Sequence, residues 1–166
     1  MEYVHELRIP KNRIAVVIGK NGKTKKELEE YSNTNINVDS KEGVISVKGK
    51  DAVKLFFSKE MIKAIGRGFS PEVAKQLLKQ DYSMEIISLN DFSDKKKQLE
   101  RVRGRVIGKK GKSREIIEKL TETNISIYGK TISIIGRSEN VGIARNSVEM
   151  LLDGATHSSV YKKLES

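Results

Sequence analysis

An eight-residue phrase occurs twice in this chain, as VIGKNGKT at residues 17–24 and as VIGKKGKS at residues 106–113. The two copies are offset by 89 positions, and the tripeptide TNI at residues 34–36 recurs at the same offset at 123–125. A later Ile-Ser pair recurs at an offset of 87, so the intervening turn is two residues shorter in the second copy. A shared pattern whose length changes only in a turn is typical of a duplicated domain. The chain must therefore fold as two copies of one small unit.

Both copies show the same predicted order of elements, which is strand, helix, helix, strand, strand, helix. Alternating apolar residues predict the strands, and apolar residues at helical spacing predict the helices. In the first copy the strands fall at 3–9, 35–39 and 44–48, and the helices at 14–18, 23–31 and 51–66. In the second copy the strands fall at 84–89, 125–128 and 131–135, and the helices at 99–107, 112–121 and 141–152.

We predict an α+β fold in which each copy has a three-stranded antiparallel sheet with helices on one face. In the closing helix of the first copy, Asp51 is the predicted N-cap. Val53, Phe56, Ile62 and Ile65 recur at helical spacing, so we expect them to face inward. The adjacent pair Phe56 and Phe57 is expected to pack in a core or an interface.

A short helix is predicted between the copies. Ser70 is a suitable N-cap, and Pro71 and Glu72 suit the first helical turn. The helix should reach Gln80 with an apolar stripe, which we expect to fasten the two copies together. The predicted organisation is a first domain at 1–68, an interdomain helix at 69–82, a second domain at 83–154 and a tail at 155–166. Two fates are open for the tail, docking back or fraying.

Basic residues cluster around both copies of the phrase. The net charge of the chain is +10, and residues 1–82 and 83–166 each carry 16 Lys and Arg against 11 Asp and Glu. Residues 8–26 include seven basic residues and no acidic one, and residues 95–114 include ten basic residues and one acidic one. Two equivalent basic clusters at equivalent places favour a polyanion as the partner.

Several function classes are excluded or disfavoured by composition. The chain has no cysteine, so disulfides and thiolate chemistry are excluded, and its two histidines stand at opposite ends with no companions. No paired acids, nucleophile–base set or metal cluster stands out, so we expect no catalytic residue, no metal site and no cofactor. No apolar run approaches the length of a membrane span, and no signal peptide is seen at the N-terminus. We expect a non-enzymatic cytoplasmic protein.

The repeated phrase contains Gly-x-x-Gly with lysines inside and after it, and it opens a helix. This pattern is typical of the RNA-clamping loop of a KH domain, which holds the backbone of about four nucleotides. A phosphate-binding P-loop is the alternative, but Val17 and Val106 stand where that motif needs a glycine. We therefore predict two tandem KH domains that bind single-stranded RNA.

Three longer phrases resemble the partner-of-Nob family of small-subunit ribosome-assembly proteins. They are GFSPEVAKQLL at 68–78, GRVIGKKGKSREIIE at 104–118, and IARNSVEMLLDG followed by VYKKL within 143–164. The resemblance implies two type I KH domains that bind the 3′ region of small-subunit ribosomal RNA during maturation. It also implies a role beside a PIN-domain endonuclease that makes the final cut, and contacts with other small-subunit assembly or translation initiation factors.

The resemblance also assigns the site residues. In the second copy the family's RNA loop matches Gly108, Lys109, Lys110 and Gly111, preceded by Gly104 and Arg105 and followed by Lys112. The first copy has an intact loop as well, formed by Gly19, Lys20, Asn21 and Gly22 and followed by Lys23. KH domains usually have an aliphatic residue three positions after the second glycine, where this chain has Lys25 and Arg114. Two roles are open for this pair, contact with the phosphates or a solvated helix position.

Two RNA-binding functions remain open at this stage. One is an assembly factor that binds ribosomal RNA, as the resemblance implies. The alternative is a KH-domain regulator of mRNA or translation, or the RNA-binding subunit of an RNA-degrading complex.

Overall fold

The computed structural model describes residues 1–166, which divide into two compact units, Met1–Lys79 and Gln80–Ser166. The first unit contains β1 (Tyr3–Arg8), α1 (Lys11–Ile18), α2 (Lys23–Ser32), β2 (Asn35–Asp39), β3 (Val44–Gly49), α3 (Ala52–Gly66) and α4 (Pro71–Ala74), which continues as a 3₁₀ turn over Lys75–Leu78. The second unit contains β4 (Tyr82–Ser88), α5 (Lys96–Ile107), α6 (Lys112–Thr121), β5 (Asn124–Tyr128), β6 (Thr131–Arg137), α7 (Ser138–Leu152) and α8 (His157–Glu165). The predicted order of three strands and three helices is confirmed in both units, with bounds that differ by at most three residues, whereas the helix predicted to reach Gln80 ends as α-helix at Ala74 and as a 3₁₀ turn at Leu78.

Each unit has one antiparallel sheet of three strands. The strand orders are β1-β3-β2 and β4-β6-β5, so the last strand in sequence lies in the middle of each sheet. Ile36 lies opposite Val47 and Ile125 lies opposite Ile134, and all four side chains are buried. Because side chains alternate along a strand, these residues share the helix-covered face of their sheets. The predicted fold class is confirmed.

The inward face of α3 differs from the prediction. Asp51 is the N-cap as expected, with its carboxylate accepting hydrogen bonds from the backbone N–H groups of Val53 and Lys54. The buried positions include Leu55 and, as predicted, Ile62 and Ile65, whereas Val53 is 62% exposed. Phe56 is 49% exposed, so it does not pack in a core. Leu55 at i, i+7 from Ile62 sets the phase of the helix, and that phase turns Val53 and Phe56 outward.

The C-terminal ends of α3 and α7 are held by arginine side chains from the first helix of each unit. In the first unit, Arg13 Nε donates to the Ile65 carbonyl and Nη2 to the Phe69 carbonyl, both at 2.8 Å. In the second unit, Arg105 Nε donates to the Leu151 carbonyl at 3.0 Å and Nη2 donates to the Ala155 carbonyl. Ile65 and Leu151 lie in the last turns of α3 and α7, and Phe69 and Ala155 lie in the turns that follow, where carbonyls lack intrahelical partners. The acceptors are equivalent between the units, whereas the arginines come from different positions.

The helix that follows the closing helix belongs to its unit in both copies. Ser70 caps α4 by accepting from the Val73 N–H, and Thr156 caps α8 by accepting from the Ser159 N–H. The α4 segment buries Ala74 and Leu77, and Lys75 forms an ion pair with Glu27 of α2 at 3.2 Å. It thus packs within the first unit, and its predicted role in fastening the two copies stays a prediction.

The tail of the chain is the ordered helix α8. Val160 is only 1% exposed and lies in the hydrophobic core of the second unit. Tyr161 and Leu164 pack against the same core, and His157 Nε2 lies 2.8 Å from the Arg105 carbonyl at the end of α5. Of the two fates left open by the sequence, docking is the one observed.

An arginine on α7 also ties that helix to the sheet of the second unit. Arg145 donates hydrogen bonds to Glu149 on the same helix and to Glu85 on β4. The pKa of Arg145 is raised above its ordinary value, mainly by the hydrogen bond to Glu149 and further by the negative charge of Glu85 and the hydrogen bond to it.

No helix of the chain has both the length and the apolar character needed to cross a bilayer.

Truncating Val160 tests whether α8 supports the second unit. We expect Val160→Ala to lower the free energy of unfolding by about 1–3 kcal/mol, because two buried methyl groups are lost and a cavity is left behind. Ser158→Ala, at an exposed position on the same helix, is the matched control and should change the stability by less than about 0.5 kcal/mol. Urea unfolding followed by circular dichroism gives both values, and equal midpoints for the two variants would show that the helix contributes nothing.

Candidate nucleic-acid interface

The two Gly-x-x-Gly loops have the same backbone conformation. Each loop is a 3₁₀ turn that joins two helices, α1 to α2 in the first unit and α5 to α6 in the second. The φ and ψ angles agree between the loops within about 3°. At the first glycine they are 75° and 173° for Gly19 and 74° and 176° for Gly108. They are 56° and 28° for Asn21 and 55° and 29° for Lys110, and at the second glycine 74° and 13° for Gly22 and 77° and 10° for Gly111. The repeated phrase therefore encodes one structural motif that is built twice.

The first glycine of each loop packs against the helix that follows the loop. A Cβ atom on Gly19 would lie 2.6 Å from Cβ of Thr24, and one on Gly108 would lie 2.5 Å from Cβ of Ser113. Both distances are far below van der Waals contact, and the φ and ψ values of this glycine fall in a region that is essentially limited to glycine. This close approach fixes the angle between the two helices that the loop joins.

The second glycine of each loop faces open space instead. A Cβ on Gly22 would meet no atom within 4 Å, and one on Gly111 would meet only Nη2 of Arg114 at 3.9 Å. The N-termini of α2 and α6 have no side-chain cap. Backbone N–H groups at an uncapped helix N-terminus, together with the helix dipole, favour an anion such as a phosphate. A polyanion can approach this surface closely because no side chain covers it.

Exposed lysines surround this open surface. Lys20 and Lys23 in the first unit and Lys109, Lys110 and Lys112 in the second are exposed, and their side chains form no hydrogen bond or ion pair in the structure. The predicted loop residues are thus brought together at one helix junction in each unit, with their charges unpaired. Lys25, on the third residue of α2, is partly buried.

Gly104 and Arg105, which lead into the second loop, have different surroundings. The guanidinium of Arg105 is hydrogen-bonded to the carbonyl of Leu151 in the last turn of α7 and to that of Ala155 in the turn that follows, so the structure gives this side chain a structural role. Gly104 lies on the exposed surface of α5, where an added Cβ would meet no atom within 4 Å. Ala15 occupies the matching position in the first copy, so a methyl group is already present there.

Arg114 is held against the edge strand of the second sheet. Its Nη1 atom lies 3.4 Å from Oε1 of Glu118 and 3.4 Å from the Ile125 carbonyl on β5. The second carboxylate oxygen of Glu118 accepts from the Ile125 N–H at 2.7 Å. Arg114 therefore does not occupy a freely solvated helix position, which was one of the two roles left open.

Two glutamates were missed by sequence reasoning. Glu29 accepts from the Ile36 N–H at 2.9 Å in the first unit, as Glu118 does from Ile125 in the second. Each carboxylate binds an outward-facing backbone group of the edge strand beside its loop. The signal that could have found them is their recurrence at the offset of 89 that the loops share. The structure holds no cluster of three or more side chains that could bind a metal ion.

Comparisons with known proteins match both units. A family model described as a eukaryotic type KH domain, type I, of the second PNO1 domain matches residues 83–166, and a KH domain model matches residues 4–64. A KH domain-containing protein of Methanocaldococcus jannaschii is 43% identical over 163 residues, which cover 96% of this chain and 71% of that protein. Crystal structures of Dim2p from Pyrococcus horikoshii, alone and in complex with a/eIF2alpha and rRNA, are 43% identical to this chain and superpose with a TM-score of 0.92. They cover 98% and 99% of this chain, and it covers 98% and 93% of theirs.

The chain belongs to the PNO1/Dim2 family of KH-domain proteins. The resemblance to the partner-of-Nob family seen in the sequence is thereby confirmed. The pre-rRNA-processing protein PNO1 of Chaetomium thermophilum is 36% identical over 110 residues that cover 63% of this chain. The matched part makes up 42% of that longer PNO1 protein, so the chain spans less than half of it.

The two glycines around α5 provide a test of the loop geometry in this PNO1/Dim2 protein. Gly108→Ala should lower the free energy of unfolding of the second unit by at least about 1–3 kcal/mol, because the methyl group collides with Ser113 and the backbone must leave its glycine-only conformation. Gly104→Ala should instead raise it by about 0.5–1 kcal/mol, because the position is helical and open. Thermal unfolding measures both variants, and similar shifts of the same sign would contradict the packing of Gly108 on Ser113.

Proposed function

We propose that this protein binds single-stranded RNA, namely the 3′ region of small-subunit ribosomal RNA, during ribosome assembly and pre-rRNA processing. The observation that carries the proposal is the pair of matching open loops, each at an uncapped helix N-terminus and each surrounded by exposed, unpaired lysines. Family membership supports it, because the C. thermophilum relative is a pre-rRNA-processing protein and P. horikoshii Dim2p forms a complex with rRNA. The choice of the 3′ region rests on the partner-of-Nob resemblance.

Each loop is proposed to hold the sugar–phosphate backbone of about four nucleotides. The backbone N–H groups and the positive helix end would bind phosphate oxygens, and the lysines would add charge without selecting a sequence. The proposed contacts come from the two loops and their flanks, Gly19, Lys20, Asn21, Gly22, Lys23 and Lys25 in the first unit and Gly104, Gly108, Lys109, Lys110, Gly111, Lys112 and Arg114 in the second. Arg105 contributes indirectly, since it fixes the end of α7 behind α5.

Binding without catalysis is the activity that we propose. The homologues are RNA-binding and processing factors, and the loops present amides and ammonium groups, which bind phosphates without supplying a nucleophile or a general base.

Two protein partners are proposed. A translation initiation factor is one, because P. horikoshii Dim2p was crystallised with a/eIF2alpha. A PIN-domain endonuclease is the other, on the strength of the family resemblance. The cytoplasmic location expected from the sequence stays a prediction.

The salt dependence of RNA affinity tests the electrostatic part of the proposal. If about five to eight lysines and arginines meet phosphates, the logarithm of the binding constant should fall against the logarithm of the salt concentration with a slope of roughly −3.5 to −5.5. Fluorescence anisotropy with a short single strand from the ribosomal 3′ end measures the slope, and a duplex of the same sequence is the control. A slope near zero, or tighter binding to the duplex, would refute the two-loop proposal.

Charge reversal in each loop tests which unit binds more tightly. The second loop has three exposed lysines and the first has two, and each partly screened phosphate contact contributes several tenths to one kcal/mol. We expect Lys109→Asp with Lys110→Asp to abolish measurable binding to the ribosomal 3′-end strand, and Lys20→Asp with Asn21→Asp to weaken it less. Aspartate is tolerated at the left-handed positions Asn21 and Lys110, so both loops should keep their conformation.

Circular dichroism must show that both charge-reversal variants are folded. If the first-loop variant proves the weaker binder, the local lysine count does not determine which loop binds more tightly.

Crosslinking of the protein to RNA in cells identifies the RNA that it binds. Enrichment of a single ribosomal site is expected, whereas enrichment of many messenger RNAs would favour a regulatory role.

A further inference from the structure

Arg114 occupies the space between the second loop and the edge of the second sheet. Its Nη1 atom lies 3.4 Å from the Ile125 carbonyl on β5, and its Nη2 atom lies 3.9 Å from the place that a Cβ on Gly111 would take. Strand β5 is at the edge of its sheet, so its outward-facing backbone groups have no strand partner. The planar guanidinium thus bridges the loop and the strand.

The donors of this guanidinium are only partly used. Both hydrogen bonds of Arg114 leave from Nη1 and are long, at 3.4 Å each. A guanidinium carries five N–H groups, so the edge formed by Nε and Nη2 keeps three donors without an acceptor in the structure. That edge includes the nitrogen nearest Gly111. A base placed next to the loop would therefore meet the parallel N–H groups of Nε and Nη2.

The first unit lacks this arrangement. Lys25 stands at the matching position of α2, and no atom comes within 4 Å of a Cβ on Gly22. A lysine ammonium has no planar fork, so it supports phosphate contact but not bidentate recognition of a base edge. The two loops share one backbone and differ in the group that faces a base.

We propose that Arg114 is a specificity-determining residue of the second unit and that it selects guanine, while the first unit binds RNA with little base preference. The inference rests on the proposed function, since it assumes that single-stranded RNA lies along the loop. Guanine presents two adjacent acceptors, O6 and N7, that match two parallel N–H groups of an arginine. Adenine presents an amino group in place of O6 and would set donor against donor. Glu118 positions the guanidinium through its carboxylate, which also binds the Ile125 N–H.

The test uses the full chain and nine-nucleotide RNAs of uridine with one central guest nucleotide. A uniform background lets the guest find the correct register. With guanosine as the guest we expect affinity roughly tenfold higher than with adenosine, which corresponds to about 1.4 kcal/mol for one bidentate contact. A 7-deazaguanosine guest, which lacks the N7 acceptor, should lose most of that advantage. Arg114→Lys keeps the charge but removes the fork, so its guanosine and adenosine affinities should become equal within about twofold. Arg137→Lys, at the exposed end of β6, is the matched control and should keep the preference.

The outcomes separate this inference from the proposed function. Binding of all guests with equal affinity, or a guanosine preference that survives in Arg114→Lys, would overturn the role of Arg114 and leave RNA binding intact. Tighter binding of a cytidine guest than of guanosine would overturn the choice of guanine. Failure of the unchanged protein to bind any of these strands would contradict the proposed function itself.

Discussion

The absence of a side chain at the first glycine of each loop is the constraint on which the rest of the site depends. Gly19 and Gly108 approach Thr24 and Ser113 so closely that a Cβ would lie 2.6 and 2.5 Å from the neighbouring Cβ. This contact fixes the sharp junction between two helices, and the junction leaves the N-terminus of the second helix uncapped and exposed. The proposed phosphate binding at this surface follows from that geometry before any lysine is added.

Each unit is small, with 79 residues in the first and 87 in the second. Domains of this size bury a limited fraction of their surface, so every helix that adds to the core matters for stability. Both units extend their core with a helix after the closing helix, and both use an arginine to bind the carbonyls at the turn between these two helices. In the second unit this arginine is Arg105, which lies three residues before Gly108 of the loop. Core stability and loop position are therefore coupled through α5.

The two loops are equivalent in backbone and different in chemistry. The first unit presents lysines and an asparagine, and the second adds lysines and a guanidinium that reaches the edge strand. A duplicated domain that keeps its backbone can change recognition through a few side chains, because the proposed phosphate contacts depend on the shared backbone. One unit that binds any sequence and one that reads a base would together give affinity and register.

Much of this protein could be predicted from its sequence, because the informative signals are local. The strands follow from alternation and the helix starts from capping residues such as Asp51, and these predictions are confirmed. The phase of α3 was wrong at Val53 and Phe56, since several apolar stripes fit one helix and only the packing chooses among them. The partners of the arginines needed the tertiary structure for a stronger reason. Arg105 reaches a carbonyl 46 residues away and Arg13 one 52 residues away. A long, flexible side chain binds whichever acceptor the fold places within reach. The sequence therefore determines that the residue is a charged arginine and in which helix it lies, while only the tertiary structure decides which carbonyl it binds.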